Sequence, residues 1–223
     1  MSTPAAIIFD FDGVLIESEY EANRLLADLL TELGHETSFE ESVRHYVGLS
    51  GQQFIDAIER RIGRTLPPRF HEELRARSAE AMLDGIESVA GAVDFVESLP
   101  AGMPRAIASS SSTRWITTHL DRLGLTPAFA GHVYSGREHV ARGKPDPDIY
   151  LHAADALGVP IADCAILEDS AVGVTGALAS GARVIGLTAG RHCVDGHEAV
   201  LRELGVREIV HSFDEVKRLL SLG

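Results

Sequence analysis

The sequence predicts an α/β fold in which a parallel sheet flanked by helices is interrupted, after its first strand, by an all-helical insertion. A short, wholly apolar run at residues 5–9 is typical of an interior strand that is covered on both faces. From Glu17 to about Glu87 the apolar residues recur only at helical spacing. After Val89 strand and helix patterns alternate, which specifies parallel strands with right-handed crossovers. The expected architecture is therefore a Rossmann-like core with a four-helix insertion.

The elements follow in chain order from their apolar spacing. The first strand, at residues 5–9, precedes a helix whose leucines recur from Leu25 to Leu33 and which ends at Gly34. Three more helices complete the insertion, at residues 39–45, 52–62 and 70–83. Further strands are expected at residues 105–108, 132–134, 165–167, 183–187 and 208–211. Helices are expected between them, at residues 92–99, 113–123, 147–157, 172–179, 198–204 and 213–220.

The composition restricts the partners that we expect. Of the 223 residues 45% are hydrophobic, which is enough to bury a substantial core. The chain has 33 acidic and 20 basic residues and a formal net charge of −13, which argues against a nucleic-acid partner. No apolar run approaches the roughly 18 residues of a membrane span, and no signal-like segment opens the sequence. We therefore expect a soluble, cytoplasmic protein with no membrane partner.

The cysteines and two loop histidines carry little predicted chemistry. Cys164 and Cys193 are too few for a disulfide framework, and neither is assigned a redox role. His192 and His197 lie in a loop without an obvious cluster of further cysteines or carboxylates. We expect these histidines to be solvated or to cap a helix rather than to bind a metal.

Two aspartates follow the first strand directly. Asp10 and Asp12 are separated by one residue directly after the strand, and we expect the two carboxylates to serve different roles. Gly13 permits a turn immediately afterwards. In open α/β sheets ligands bind outside the carboxyl ends of the strands, which favours a functional pair. The alternative is that both aspartates are turn or N-cap residues before the helix near Ser18.

The second strand ends in the run SSSST, from Ser109 to Thr113. Hydroxyls and free backbone N–H groups at a helix N-terminus form an anion site. The alternative is that one serine merely caps the following helix.

Lys144 is one of only two lysines, with Lys217, in a chain whose other basic residues are arginines. It precedes Pro145, and Asp146 is predicted to cap the next helix with Pro147 in its first turn. A fixed cation beside two carboxylates and a phosphate would hold otherwise repelling groups together. A solvated surface charge is the alternative.

The strand expected at residues 165–167 is followed by two adjacent carboxylates, Glu168 and Asp169, just as the first strand is followed by aspartates. Two acidic clusters at one sheet edge would repel each other unless a cation lay between them, and oxygen ligands suit Mg²⁺. A pair of helix N-cap acids is the alternative, but it does not explain why two strands end alike.

The pattern DxDGVLxxSE at residues 10–19 resembles the first motif of the haloacid dehalogenase superfamily, in the branch that contains phosphatases and β-phosphoglucomutase. The serine run, the lysine segment and the Glu168-Asp169 segment follow in the order and spacing of the other three motifs. The resemblance implies that Asp10 is the nucleophile and Asp12 the general acid and base. It implies phosphate contacts from the Ser109 hydroxyl, the Ser110 amide, Ser111 and Lys144, and Mg²⁺ held by Asp10, the Asp12 carbonyl, Asp169 and Glu168.

The resemblance further implies a catalytic core of residues 1–16 and 89–223, with residues 17–88 as a mobile α-helical cap that selects the substrate. It implies a Mg²⁺-dependent phosphatase that hydrolyses a small phosphomonoester, such as a sugar phosphate, a phosphogluconate-like acid or phosphoglycolate, through an aspartyl-phosphate. A monomer is the default expectation, and a dimer stays open. Cap residues considered for substrate contact are Ser50, Gln52, Arg75 and Arg77, of which the arginines are favoured as surface charges.

Single positions in the sequence distinguish a phosphatase from three other activities of the superfamily. Dehalogenases lack the acid/base aspartate that is present here as Asp12, and phosphonate hydrolases need a cap lysine that this sequence lacks. Sugar phosphomutases resemble the core motifs, but they carry a cap histidine where this chain has Ala22. A phosphatase is therefore expected, with a phosphomutase as the alternative. A non-catalytic phosphometabolite-binding protein is a weaker alternative, because it needs neither a nucleophile nor an acid/base.

Overall fold

The computed structural model describes residues 3–47, 49 and 51–222, the side chains of residues 82–84 excepted. Backbone contacts divide the chain into two compact units, one of Met1–Glu17 with Glu87–Gly223 and one of Ser18–Ile86. The predicted domains place their boundaries at residues 16/17 and 88/89, and the roles assigned to them stay predictions. Within the described residues no helix is long and apolar enough to cross a membrane.

The larger unit is built on a parallel sheet of six strands among the described residues, in the order β3-β2-β1-β4-β5-β6. The strands are β1 Ala6–Phe9, β2 Arg105–Ser109, β3 Val133–Ser135, β4 Cys164–Glu168, β5 Arg183–Leu187 and β6 Glu208–Val210. Every residue of β1, β2 and β4 is buried, which explains why their sequences show continuous rather than alternating apolar character. The predicted α/β fold with a Rossmann-like parallel sheet is confirmed.

The register of β1 brings the functional segments together. Phe9 pairs with Ile107 of β2 on one side and with Leu167 of β4 on the other. The N–H of Asp10 still donates to the carbonyl of Leu167, at 2.9 Å, so the pairing continues past the end of the strand. Residues that follow β1, β2 and β4 therefore emerge side by side at the carboxyl edge of the sheet.

The smaller unit contains four helices in its described residues: α1 Ser18–Glu32, α2 Phe39–Tyr46, α3 Gly51–Ile62 and α4 Phe70–Asp84. Its core is formed by Leu26, Leu29 and Leu30 of α1, packed with Tyr46, Ile58, Leu66 and Phe70. Burial of each such side chain stabilises the unit by about 1.5–3 kcal/mol. Arg77 pairs with Glu32 and Glu73 as a surface charge, whereas Ser50 lies outside the described residues.

Seven further α-helices pack in the larger unit's described residues: α5 Ala92–Ser98, α6 Thr113–Leu123, α7 Thr126–Phe129, α8 Asp148–Leu157, α9 Ala171–Ser180, α10 His197–Glu203 and α11 Phe213–Leu219. The predicted helices are confirmed to within one or two residues, but α7 was missed because four residues are too few to show a helical period. The predicted cap at Asp146 is wrong. Helix α8 begins at Asp148 after Pro147 without a side-chain cap, and Asp146 instead pairs with Arg142 at 3.2 Å.

Candidate active site

Three carboxylates converge where β1 and β4 end side by side. One oxygen from each of Asp10, Glu168 and Asp169 lies within 4.8 Å of the others, and all three side chains are buried. Burial, together with the neighbouring Glu168 carboxylate, raises the pKa of Asp10 and that of Asp169 well above their usual range. The cluster therefore requires positive charge if all of its members are to be ionised at neutral pH.

Lys144 supplies part of that charge from the loop before α8. Its Nζ donates to Oδ1 of Asp10 and to Oε1 of Glu168, each at 2.6 Å, and its side chain is only 4% exposed. Burial disfavours the ammonium, but the carboxylates of Asp10 and Glu168 outweigh that cost and raise the pKa of Lys144 well above its usual value. Lys144 is therefore a fixed buried cation and not a solvated surface charge.

Glu168 accepts hydrogen bonds on both of its oxygens. Oε1 accepts from Lys144 and from the Tyr150 hydroxyl, at 2.8 Å for the latter. Oε2 accepts from the backbone N–H groups of Asp169 and Ser170, both at 2.9 Å, and from the Ser170 hydroxyl. Ser170 is also the N-cap of α9. These contacts hold Glu168 in place beneath Lys144, while its assignment to a metal stays a prediction.

Asp169 has one engaged oxygen and one without a partner. Oδ2 lies 2.7 Å from Nε2 of His192, whereas the buried Oδ1 has no hydrogen-bond partner among the described residues. Gly13 has φ +80°, and a Cβ there would lie 2.2 Å from Oδ2 of Asp169, so only glycine permits this approach. A buried, unpartnered carboxylate oxygen beside Asp10 fits a hard divalent cation such as Mg²⁺.

Asp12 is held by a different set of donors. The indole N–H of Trp115 donates to Oδ1 at 2.9 Å, and the hydroxyls of Ser111 and Ser109 donate to Oδ2 at 2.6 and 3.2 Å. Trp115 lies in the first turn of α6, whose N-cap is Ser112. Asp10 and Asp12 therefore sit in distinct environments.

Some serines of the run contact Asp12, and another caps helix α6. The Ser109 hydroxyl also accepts from the N–H of Ser111 at 2.9 Å, which ties the turn together. Ser112 caps α6 by accepting from the N–H of Trp115, so the capping alternative holds for this serine. Ser110 is exposed in the same turn, and its predicted phosphate contact stays a prediction.

Comparison with known proteins identifies the family. The profile of the haloacid dehalogenase-like hydrolases matches residues 4–181. The chain belongs to the haloacid dehalogenase-like hydrolase family. It is 28% identical over 212 residues to 6-phosphogluconate phosphatase of Escherichia coli (strain K12), covering 95% of this chain and 92% of that protein.

Solved structures of haloacid dehalogenase-like proteins share the fold. A family hydrolase from Deinococcus radiodurans R1, determined with bound phosphate and sodium, superposes with a TM-score of 0.88 at 30% identity and covers 100% of this chain and 98% of its own. A putative β-phosphoglucomutase from Thermotoga maritima superposes with a TM-score of 0.73 at 25% identity, and 99% of each chain is covered. The resemblance noted in the sequence is thus confirmed at the level of the family.

Three residues of this haloacid dehalogenase-like site carried no clear sequence signal. Each of the three contacts a predicted site residue, but its place in the sequence indicates only a core or loop position. They are Trp115, Tyr150 and His192. A helix bearing Trp115 that starts directly after the serine run was the one available hint, since its first turn must face the same edge of the sheet.

The expectation that His192 and His197 are solvated or capping residues is wrong for His192, whereas His197 is partly exposed. His192 is 1% exposed and contacts Asp169, and Nε2 of His197 lies 2.6 Å from the carbonyl of Asp169. Cys193 lies between them in sequence, with Sγ 3.4 Å from Nε2 of His192. The sequence did not reveal this cluster because the fold brings a carboxylate from β4 to the loop.

Proposed function

We propose that this haloacid dehalogenase-like hydrolase is a Mg²⁺-dependent phosphoric monoester hydrolase that acts on a small phosphorylated metabolite through an aspartyl-phosphate on Asp10. One observation carries the proposal. A buried carboxylate, Asp10, is held by the Lys144 ammonium beside the unpartnered oxygen of Asp169, while Asp12 is held apart by its own donors. This arrangement supplies a nucleophile, a cation site and a separate acid/base group at one edge of the sheet.

The metal would be held by Asp10, Asp169 and the backbone carbonyl of Asp12, with Glu168 as the remaining proposed ligand. When bound, Mg²⁺ supplies positive charge that offsets the repulsion between these carboxylates and an incoming phosphate. Lys144 supplies a second positive charge from the protein itself. Its two short contacts hold the ammonium in a fixed position, so little reorganisation is needed during the reaction.

In the first step a carboxylate oxygen of Asp10 attacks phosphorus, and the bond from phosphorus to the leaving oxygen breaks. Asp12 donates a proton to that oxygen, which leaves as an alcohol. In the second step Asp12 removes a proton from a water molecule, which attacks the phosphorus of the aspartyl-phosphate. Inorganic phosphate leaves and the Asp10 carboxylate is restored.

The serine run is proposed to bind the phosphate. The Ser109 hydroxyl, the Ser110 backbone amide and Ser111 lie at the start of α6, where free N–H groups and the helix dipole favour an anion. Ser109 and Ser111 also donate to Asp12, so they link the position of the phosphate to that of the acid/base.

All residues of this mechanism lie in residues 1–16 and 89–223, which we propose as the catalytic core, and we assign substrate selection to residues 17–88 as the family's cap. The E. coli relative is named for 6-phosphogluconate, which supports a sugar-phosphate or phosphogluconate-like substrate. The formal charge of −13 makes nucleic acid an unfavourable partner, and none is proposed. We propose a cytoplasmic enzyme that acts as a monomer.

The test is hydrolysis of p-nitrophenyl phosphate with Mg²⁺ or EDTA, followed by a panel of phosphorylated metabolites. Asp10→Asn should abolish turnover, while Asp155→Asn, an exposed aspartate of α8, should leave it unchanged. Acid quenching followed by peptide mass spectrometry should find the phosphoryl group on Asp10. Full Mg²⁺-dependent activity of Asp10→Asn would refute the assignment.

A phosphomutase is the second candidate, since one structural neighbour is a putative β-phosphoglucomutase. That reaction would transfer the phosphate to a second substrate hydroxyl instead of water. Incubation with β-glucose 1-phosphate separates the two activities, because a phosphatase releases free phosphate and a mutase yields glucose 6-phosphate. Ala22, at the place of the mutase histidine, favours release of phosphate.

A further inference from the structure

A second group of side chains with potential metal-ligand atoms lies in the loop before α10 and at the first residue of that helix, and the proposed phosphatase mechanism uses none of them. One ligand atom from each of His192, Cys193 and His197 lies within 4.8 Å of the others. We propose that these three residues bind a thiophilic divalent cation of the Zn²⁺ class, and that this cation weakens the binding of Mg²⁺ at Asp169.

The donor set argues for such an ion. Zn²⁺ prefers thiolate and imidazole ligands at about 2.0–2.3 Å in tetrahedral geometry, so its ligand atoms stand about 3.3–3.8 Å apart. Sγ of Cys193 and Nε2 of His192 lie 3.4 Å apart, which matches one edge of that tetrahedron. Mg²⁺ instead takes oxygen ligands and has little affinity for a thiol. The two sites therefore select different ions.

The loop holds the donors in place. A Cβ at Gly190 would lie 2.7 Å from Nδ1 of His192, so the ring packs directly against this backbone. The N–H of Cys193 donates to the carbonyl of Gly190 at 3.0 Å, and that of His197 donates to Val194, also at 3.0 Å. His192 is buried, whereas Cys193 and His197 are partly exposed and give an ion access from solvent.

Both histidines of the site contact Asp169. Nε2 of His192 lies 2.7 Å from Oδ2 of Asp169, and Nε2 of His197 lies 2.6 Å from its carbonyl oxygen. Because the partner atoms are acceptors, each ring nitrogen carries the proton in these contacts. Nε2 of His192 is also the nitrogen that lies 3.4 Å from Sγ of Cys193. A metal bound there needs the lone pair of this nitrogen, so His192 serves Asp169 or the ion, not both.

Binding of the ion releases one proton, that of the Cys193 thiol. The Cys193 S–H bond breaks, its proton passes to solvent and a sulfur–metal bond forms. The imidazole of His192 stays neutral and moves its proton from Nε2 to Nδ1 as the nitrogen–metal bond forms, and His197 binds in its neutral form. Asp169 then loses its contact with Nε2 of His192 as a hydrogen bond. By linkage, Mg²⁺ at Asp169 weakens Zn²⁺ binding by the same factor as Zn²⁺ weakens Mg²⁺ binding.

Binding is tested independently of any phosphatase activity, with Co²⁺ as a spectroscopic probe for the Zn²⁺ class. Metal-free protein should show a thiolate-to-cobalt absorption band on titration, and Zn²⁺ should displace it. Cys193→Ser should abolish the band and His197→Gln should weaken binding at least tenfold. Cys164→Ala, which removes the other cysteine, should retain it. Thermal melts of the metal-free variants check that each is folded.

An absent band, or one that persists in Cys193→Ser, would overturn the site. The coupling is tested by measuring the Zn²⁺ dissociation constant with and without saturating Mg²⁺. We expect a weakening of at least fivefold both in the wild type and in Cys164→Ala, which keeps the site. Equal dissociation constants in the wild type would overturn the coupling.

The coupling to turnover rests on the proposed function and has its own readout. Zn²⁺ should inhibit Mg²⁺-dependent hydrolysis of p-nitrophenyl phosphate in the wild type, and Cys193→Ser should relieve that inhibition with its basal turnover unchanged. Equal inhibition of both proteins would place the Zn²⁺ among the carboxylates and overturn the coupling. A wild type with no hydrolysis at all would refute the phosphatase, and the binding result would stand apart from it.

Discussion

The Nζ atom of Lys144 lies 2.6 Å from Oε1 of Glu168, whose other contacts come from Tyr150 and from the start of α9. Glu168 is thus anchored by the sheet and by two helices, and it anchors Lys144 in turn. The same ammonium lies 2.6 Å from Oδ1 of Asp10. The position of the proposed nucleophile therefore depends on a chain of buried charged contacts that begins in β4.

Replacing Lys144 by Met should lower both activity and stability. The change leaves the carboxylates of Asp10 and Glu168 buried without their cation, which costs about 3–5 kcal/mol when one partner of a buried pair is removed. Turnover should fall by at least about 10²-fold, as when one preorganised charge-stabilising donor is lost. Urea unfolding of the metal-free protein and steady-state hydrolysis measure the two effects.

The matched control is Lys217→Met, since Lys217 is the chain's only other lysine and lies partly exposed in α11. It should behave as the wild type in both measurements. Wild-type turnover of Lys144→Met would contradict a role for this ammonium in the reaction.

Replacing Trp115 by Phe should weaken acid catalysis. The indole N–H donates to Oδ1 of Asp12 and orients the carboxyl group, and a typical hydrogen bond is worth about 0.5–1.5 kcal/mol, or about 2–10-fold in rate. An alkyl phosphate needs protonation of its leaving oxygen, whereas nitrophenolate leaves without it. Phosphorylation of the enzyme by the alkyl substrate should therefore slow more than phosphorylation by p-nitrophenyl phosphate.

Rapid-quench measurement of the phosphorylation step with both substrates checks this. An equal loss with both would show that Trp115 serves packing alone. Because Trp115 is the chain's only tryptophan, its fluorescence also reports directly on the surroundings of Asp12 in the wild type.

Removal of Mg²⁺ should change how stability depends on pH. Burial raises the pKa of Asp10 and of Asp169 above the ordinary value of 3.8, so the folded metal-free protein binds more protons than the unfolded chain between that value and the raised ones. Stability contributed by these groups is therefore greatest below about pH 4 and falls as pH rises through that window. Mg²⁺ needs the ionised carboxylates, so its stabilisation should grow with pH.

The difference in unfolding free energy between Mg²⁺ and EDTA, measured by urea titration from pH 4 to pH 8, isolates this effect from other titrating groups. At 100 times the dissociation constant Mg²⁺ should add about 2.7 kcal/mol. A difference that shrinks with rising pH, or that persists in Asp169→Asn, would contradict a metal bound by these carboxylates.

Sequence reasoning went furthest where the chemistry is local along the chain. The apolar runs before Asp10 and Glu168 predict buried strands, and parallel pairing alone then places both carboxylates at one edge. It failed where contacts are distant in sequence. The indole of Trp115 reaches Asp12 across 103 residues, and His192 meets Asp169 only because the loop before α10 folds back over the end of β4.

Replacing Gly13 by Ala should weaken the metal site while leaving the fold intact. The left-handed backbone at φ +80° costs an alanine about 1–2 kcal/mol, and its Cβ would lie 2.2 Å from Oδ2 of Asp169. The control is Gly124→Ala, which has φ +72° at the end of α6 and nothing within 4 Å of the added carbon. Both variants should lose similar stability from the backbone term. Gly13→Ala alone should require more Mg²⁺ for half-maximal hydrolysis, because the displaced carboxylate of Asp169 binds the ion less well. Equal Mg²⁺ requirements in the two variants would show that the close approach of Gly13 to Asp169 has no part in holding the metal.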